Sequence, residues 1–127
     1  MLHLGIGCRK GASAANIAAA VEAALAAGNL DRRAVRGVAS IDLKAREQGL
    51  LDFCRENHWP VSFYPAQALN ALEGDFTPSE FVQGVTGVDN VCERAARMDA
   101  ARLIVKKSAR NGVTVAVAVE TMEVRFG

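Results

Sequence analysis

The chain has 127 residues, half of them apolar and 23% charged, enough for one domain with its own core and too apolar for a disordered segment. Fifteen basic against fourteen acidic residues leave a formal charge of +1, which argues against a dedicated nucleic-acid binder. An odd set of cysteines (Cys8, Cys54, Cys92), no secretory leader and no apolar run of membrane-spanning length predict a single-domain cytoplasmic protein with reduced thiols.

In chain order, Leu2 to Ile6 reads as a short buried strand. The loop GIGCRKGAS follows, and Ser13 caps a helix over 14–27 whose Ile17, Val21 and Leu25 form an apolar stripe. Gly28 is the expected stop, with Leu30 placed to close a Schellman-type end. Val35 to Ile41 reads as a second strand, and Asp42 as the cap of a helix over 43–57 that buries Leu50 and Cys54. Pro60 to Tyr64 reads as a third short strand, since Pro is tolerated at a strand's first residue or on an edge, and Pro65 starts a helical turn. Thr77-Pro-Ser-Glu80 is a capping box that predicts a short helix over 78–83. A further helix over 90–99 carries Val91, Ala95 and Met98 on one face. Arg102 to Lys106 and Val113 to Val119 read as strands joined through Asn111-Gly112, a hairpin signal. Val113, Val115, Val117 and Val119 alternate with Thr114, Ala116 and Ala118, so one face of that strand is bulky and the other small.

This order predicts a three-layer α/β/α domain. Its sheet is mixed and mostly parallel, with about five strands and a C-terminal antiparallel hairpin. Ligands in such sheets sit beyond the carboxyl ends of the strands. Three polar clusters fall at predicted ends: Gly5 to Gly11, Ser40 to Lys44, and Lys106 to Ser108. The first has the parts of an anion cradle, namely glycines, Arg9, Lys10 and a helix N-terminus at Ser13. Its G-x-G-x-x-x-G spacing is neither a P-loop nor the dinucleotide fingerprint. It therefore reads either as an anion site or as a tight strand-to-helix turn. Ser40 and Asp42 read as ligand contacts or as helix caps. Cys8, beside two cations near a helix N-terminus, reads as a thiol of lowered pKa and candidate nucleophile, or as a small buried side chain. His3 and His58 stand alone, so no protein metal site and no cofactor are expected.

Four blocks, GIGCRKGAS, VASIDLKAREQGL, TGVDNVCERAA and LIVKKSARNGVTVAVA, together resemble the cobalamin-biosynthesis CobE/CbiG C-terminal family. They occur in the family's order and span nearly the whole chain, from Leu4 to Val119. The resemblance implies a corrin-pathway protein. The family's two-domain CbiG members are cobalt-precorrin-5A hydrolases that open a lactone and release acetaldehyde, while its short stand-alone CobE members accompany the aerobic pathway. With no room for the CbiG N-terminal domain, residues 1–127 look like a stand-alone CobE-like member.

Corrin precursors are flat macrocycles bearing many carboxylate arms, which suit charge-assisted hydrogen bonds. Arg9, Lys10, Lys44, Lys106 and Lys107 are expected to gather at one sheet edge. Strand alternation turns one of the Lys106–Lys107 pair away, and Lys106 is assigned to the site. The expected substrate-binding set is Gly5, Gly7, Arg9, Lys10, Gly11, Ser13, Ser40, Lys44, Thr86, Gly87 and Lys106, with Cys8 and Asp42 as candidate catalytic groups. The leading expectation is a carrier or accessory factor for a polycarboxylated corrin or precorrin intermediate. The alternatives are a lactone-opening hydrolase and a nucleotide- or phosphate-binding module. Expected partners are the tetrapyrrole and other cobalamin-pathway enzymes, with no nucleic acid and no membrane. An exposed hairpin edge leaves a homodimer open.

Overall fold

Five strands form one sheet in the order β3-β2-β1-β5-β4. The strands are β1 (Leu2–Cys8), β2 (Val35–Ile41), β3 (Val61–Tyr64), β4 (Arg102–Arg110) and β5 (Val113–Val119). The α-helices among the described residues are α1 (Ala14–Ala27), α2 (Gln48–Glu56), α3 (Ala66–Ala71) and α4 (Val91–Met98). This computed structural model describes residues 1–77, 88–98, 100 and 102–120. The helix expected over 78–83 lies outside the described residues.

β1, β2 and β3 are parallel neighbours, whereas β5 runs antiparallel to both β1 and β4. Four of the five strands therefore point one way, and their carboxyl ends share an edge. The alternation in β5 sorts its two faces as expected. Val113, Val115 and Val117 pack with Leu4, Ile6, Ile17, Val21, Leu50 and Phe53 in the core under α1 and α2. Each such fully buried aliphatic side chain is worth about 1.5–3 kcal/mol. Ala116 and Ala118 face α4 and meet Cys92 and Ala96. Gly5 on β1 completes this thin surface, and α4 lies directly against it.

Local signals are realised with few changes. Ser13 accepts a hydrogen bond from the Asn16 N–H and caps α1. The helix closes in a Schellman pattern, with Leu30 N–H donating to Leu25 O and Asn29 N–H to Ala26 O. Asn29, with φ 52°, supplies the left-handed residue there, not Gly28. The helix expected over 43–57 divides into a 3₁₀ turn, Asp42–Lys44, and α2, which starts six residues later than Asp42. Asp42 caps nothing with its side chain. α2 is seated closely there: the Gly49 α-carbon meets the loop before α1, where a β-carbon would lie 2.0 Å from Ala12 O. The intervening residues turn, with Ala45 N–H donating to Asp42 O and Glu47 N–H to Lys44 O.

β4 is an edge strand and is longer than expected. Its ladder slips between Leu103 and Val105 and again between Val105 and Ser108. Such bulges, with exposed Arg102 and Lys106, blunt the edge against pairing with another strand.

Candidate functional site

At the shared carboxyl edge the backbone ends of β1, β2 and β4 surround an open cleft of about 470 Å³ on the α4 side of the sheet. Arg9, Lys44, Lys107 and Arg110 line it. Among the described residues no aspartate or glutamate does. Gly7, Cys8 and Thr114 lie along the β1–β5 side, and Val88, Asn90 and Val91 along the α4 side.

Three local devices deliver the four cations. Arg9 leaves β1 and its N–H donates to Gly112 O at 2.9 Å, so the arginine is tied to the hairpin turn. That turn has Asn111 at φ 51° and Gly112 at φ 78°, the pair a two-residue type I′ connection requires. A β-carbon on Gly112 would meet Arg9 Cδ at 2.9 Å, which lays the Arg9 stem across the turn. Arg110 ends β4 next to the same turn. Lys44 closes the 3₁₀ turn after β2. Lys107 sits in the second bulge of β4 and is half-buried, while Lys106 is exposed.

Of the expected set, the cleft brings together Gly7, Cys8, Arg9 and Lys44, and the structure places the other described members elsewhere. Lys106 points away because the bulge hands the cleft position to Lys107. Lys10 is exposed outside the lining, since the loop turns after Arg9 with Ala12 N–H donating to Arg9 O. Gly11, at φ 80°, serves the turn, and its N–H already donates to Glu47 Oε2 at 3.0 Å. The loop thus holds a carboxylate from its own chain. Gly5 is buried mid-strand against α4, where a β-carbon would lie 1.8 Å from Cys92 O. Ser40 is fully buried, and its hydroxyl donates to Ile6 O at 2.6 Å, joining β2 to β1. Ser13 is occupied as the α1 cap. Asp42 is exposed and outside the cleft. Thr86 and Gly87 lie outside the described residues.

The expected lowering of the Cys8 pKa is also reversed. Burial pushes the thiol up, Lys44 opposes this, and Glu47 adds to it. Cys54 is pushed up to about 11 and Cys92 to about 12 by burial. A thiol held protonated is a poor nucleophile. Among the described residues no group of three His, Cys, Asp or Glu could hold a metal ion.

Arg110 and Asn90 were not anticipated as site residues. Arg110 had a readable signal, because it immediately precedes the Asn-Gly turn at the edge where ligands bind. Asn90 had none. Its role emerges only with α4 packed, where Oδ1 accepts from Glu93 N–H and Nδ2 donates to Thr77 O. Below it lies Glu93, fully buried. Burial alone would raise this carboxyl, but hydrogen bonds from the Lys107 and Thr77 N–H groups outweigh it and hold the group below its ordinary value.

Residues 2–118 match the sequence profile described as "Cobalamin synthesis G C-terminus". The chain is 35% identical over 122 residues to the cobalt-precorrin-5A hydrolase of Priestia megaterium, covering 93% of this chain and 32% of that protein. Against the protein CobE of a Sinorhizobium species the identity is 36% over 121 residues, covering 92% of this chain and 79% of the relative. The chain spans about a third of the hydrolase from Priestia megaterium and 41% of the probable hydrolase of Methanocaldococcus jannaschii. Its fold is similar to the crystal structure of CobE, a protein from the cobalamin biosynthetic pathway. That match has a TM-score of 0.86 and 29% identity, and covers 97% of this chain and 92% of the other.

Proposed function

The chain belongs to the cobalamin synthesis G C-terminus family of cobalamin-biosynthesis proteins, and from that premise we propose that it binds a polycarboxylated corrin or precorrin intermediate at the carboxyl edge of its sheet, as a carrier or accessory factor. One observation carries this reading: Arg9, Lys44, Lys107 and Arg110 line one cleft that no described acidic residue enters. Arg9 and Arg110 at the hairpin turn, with Lys44 and Lys107 on two further elements, suit several carboxylates on one rigid ring better than a single compact anion. Guanidinium groups take a carboxylate bidentately, and the lysines act as point charges. The cleft is open, so it accepts the rim of a macrocycle together with its arms. The three free thiols suit a reducing cytoplasm, the compartment we assign.

Titration with hydrogenobyrinic acid, followed by its absorbance shift, tests the reading. Saturable binding that weakens in Arg9→Ala and at raised ionic strength supports it. No shift with the protein folded overturns it.

A second reading, lactone opening like that of a cobalt-precorrin-5A hydrolase, is favoured by the names of the matching relatives from Priestia megaterium and Methanocaldococcus jannaschii. Cys8 would serve it poorly as an attacking group, given its raised pKa. Acetaldehyde release from cobalt-precorrin-5A separates the two readings: turnover supports hydrolysis, and bound but unchanged ligand supports the carrier.

A further inference from the structure

We propose that Glu93 is a positioning residue: it anchors the β4 bulge that turns Lys107, instead of Lys106, into the cleft. The inference rests on the reading of the cleft as an anion site.

Glu93 is fully buried on α4, a costly place for a carboxylate unless its oxygens are satisfied. Both are satisfied by backbone. Oε2 accepts from the Lys107 N–H at 2.7 Å and Oε1 from the Thr77 N–H at 2.8 Å. Thr77 is held a second time, since its carbonyl accepts from Asn90 Nδ2 at 2.8 Å. One carboxylate thus spans from the β4 wall of the cleft to the chain at Thr77.

The ladder shows what this anchor decides. Val105 pairs with Val117, and Ser108 with Val115, so Lys106 and Lys107 together oppose the single residue Ala116. Val105 packs into the core under α1 and α2. Regular alternation from Val105 would put Lys107 on that same face and send Lys106 to the α4 face. The extra residue reverses the outcome, and the Lys107 N–H that leaves the ladder is the one Glu93 receives. A bulge re-aims a side chain in this way, and here the re-aimed side chain is a cation lining the cleft.

A double-mutant cycle tests the proposal, with hydrogenobyrinic acid as the probe. Glu93→Gln keeps the shape but places an amide donor against one of two N–H groups. We expect it to weaken binding about as much as Lys107→Ala does, roughly tenfold, and the double variant to lose no more than either alone. Arg9→Ala should remain additive with Glu93→Gln. Fully additive losses for Glu93 and Lys107, or a Glu93→Gln variant that binds normally, overturn the proposal. A second measurement needs no variant. In the unsubstituted protein the Lys107 and Thr77 amide proton shifts should titrate with one common midpoint. Separate midpoints, or no titration, overturn the shared anchor. If the unsubstituted protein fails to bind the probe, the cleft reading falls by itself, and the amide titration still decides whether Glu93 holds both chain segments.

Discussion

The α-carbon of Gly5 faces the Cys92 carbonyl so closely that a β-carbon there would lie 1.8 Å from its oxygen and 2.6 Å from Ala96 N. Both obstacles are backbone of α4, so relief requires moving the helix off the sheet. Gly5→Ala should therefore cost about 3 kcal/mol or more through overpacking. Urea unfolding measures it, and an unchanged midpoint would show that α4 is not seated as described. Because α4 carries Asn90 and Glu93, the same substitution should disturb the cleft.

Lys106 and Lys107 are adjacent in sequence and opposite in role. Lys107→Ala should weaken hydrogenobyrinic acid binding about tenfold, or about 1.4 kcal/mol, the scale of one charge-assisted hydrogen bond. Lys106→Ala should leave the dissociation constant unchanged. Equal losses in the two variants would contradict the bulge.

Thiol chemistry offers a separate check. Burial raises the pKa of Cys8, holds Cys54 at about 11 and takes Cys92 to about 12. Thiolate is the reacting form, so iodoacetamide at pH 7.5 should modify the native protein slowly. Cys8, the half-exposed thiol, should react before the other two. Mass spectrometry of a time course reads the order. Modification of Cys8 faster than a free cysteine would restore it as a candidate nucleophile.

Acid should loosen the Glu93 anchor. Its pKa in the folded protein is lowered from the ordinary 4.5, so its contribution to stability is fully present above about pH 4.5. That contribution falls away as pH drops toward and through the folded value, where the carboxyl takes a proton. Denaturant midpoints measured from pH 6 to pH 3 should fall less steeply in Glu93→Gln than in the unsubstituted protein. Identical slopes would remove Glu93 as a source of the acid sensitivity.

Much of the architecture was legible because its signals are local. The Ser13 cap, the Schellman close at Leu30 and the Asn111-Gly112 turn each depend on residues within a few positions. The valine–alanine alternation of β5 predicted that one face would bury bulk and that the other would carry small side chains, the face on which α4 packs. The 43–57 helix starts later than expected, and its first turn packs at Gly49 against Ala12, a partner more than thirty residues away that local signals do not announce. The cleft was legible as a place and less so as a set of lining residues. Gly7, Cys8, Arg9 and Lys44 belong to the cleft, whereas Ser40 serves inside the sheet and Gly11 is engaged by Glu47. Both polar groups looked available in sequence, because nothing nearby announces the partner that takes them.

The sequence by itself determined the order and type of most described elements, the family, and the edge of the sheet where cations would collect. These follow from periodicity, capping chemistry and motif order, which act over short separations or along the whole chain without contacts being known. Only the tertiary structure decided which lysine enters the cleft, that Gly5 is a packing surface for α4, and that a buried glutamate ties Lys107 to Thr77. Those outcomes depend on which backbone groups α4 meets when it docks. A one-residue slip in a ladder exchanges the two faces of a strand, and no local pattern in β4 records where that slip occurs.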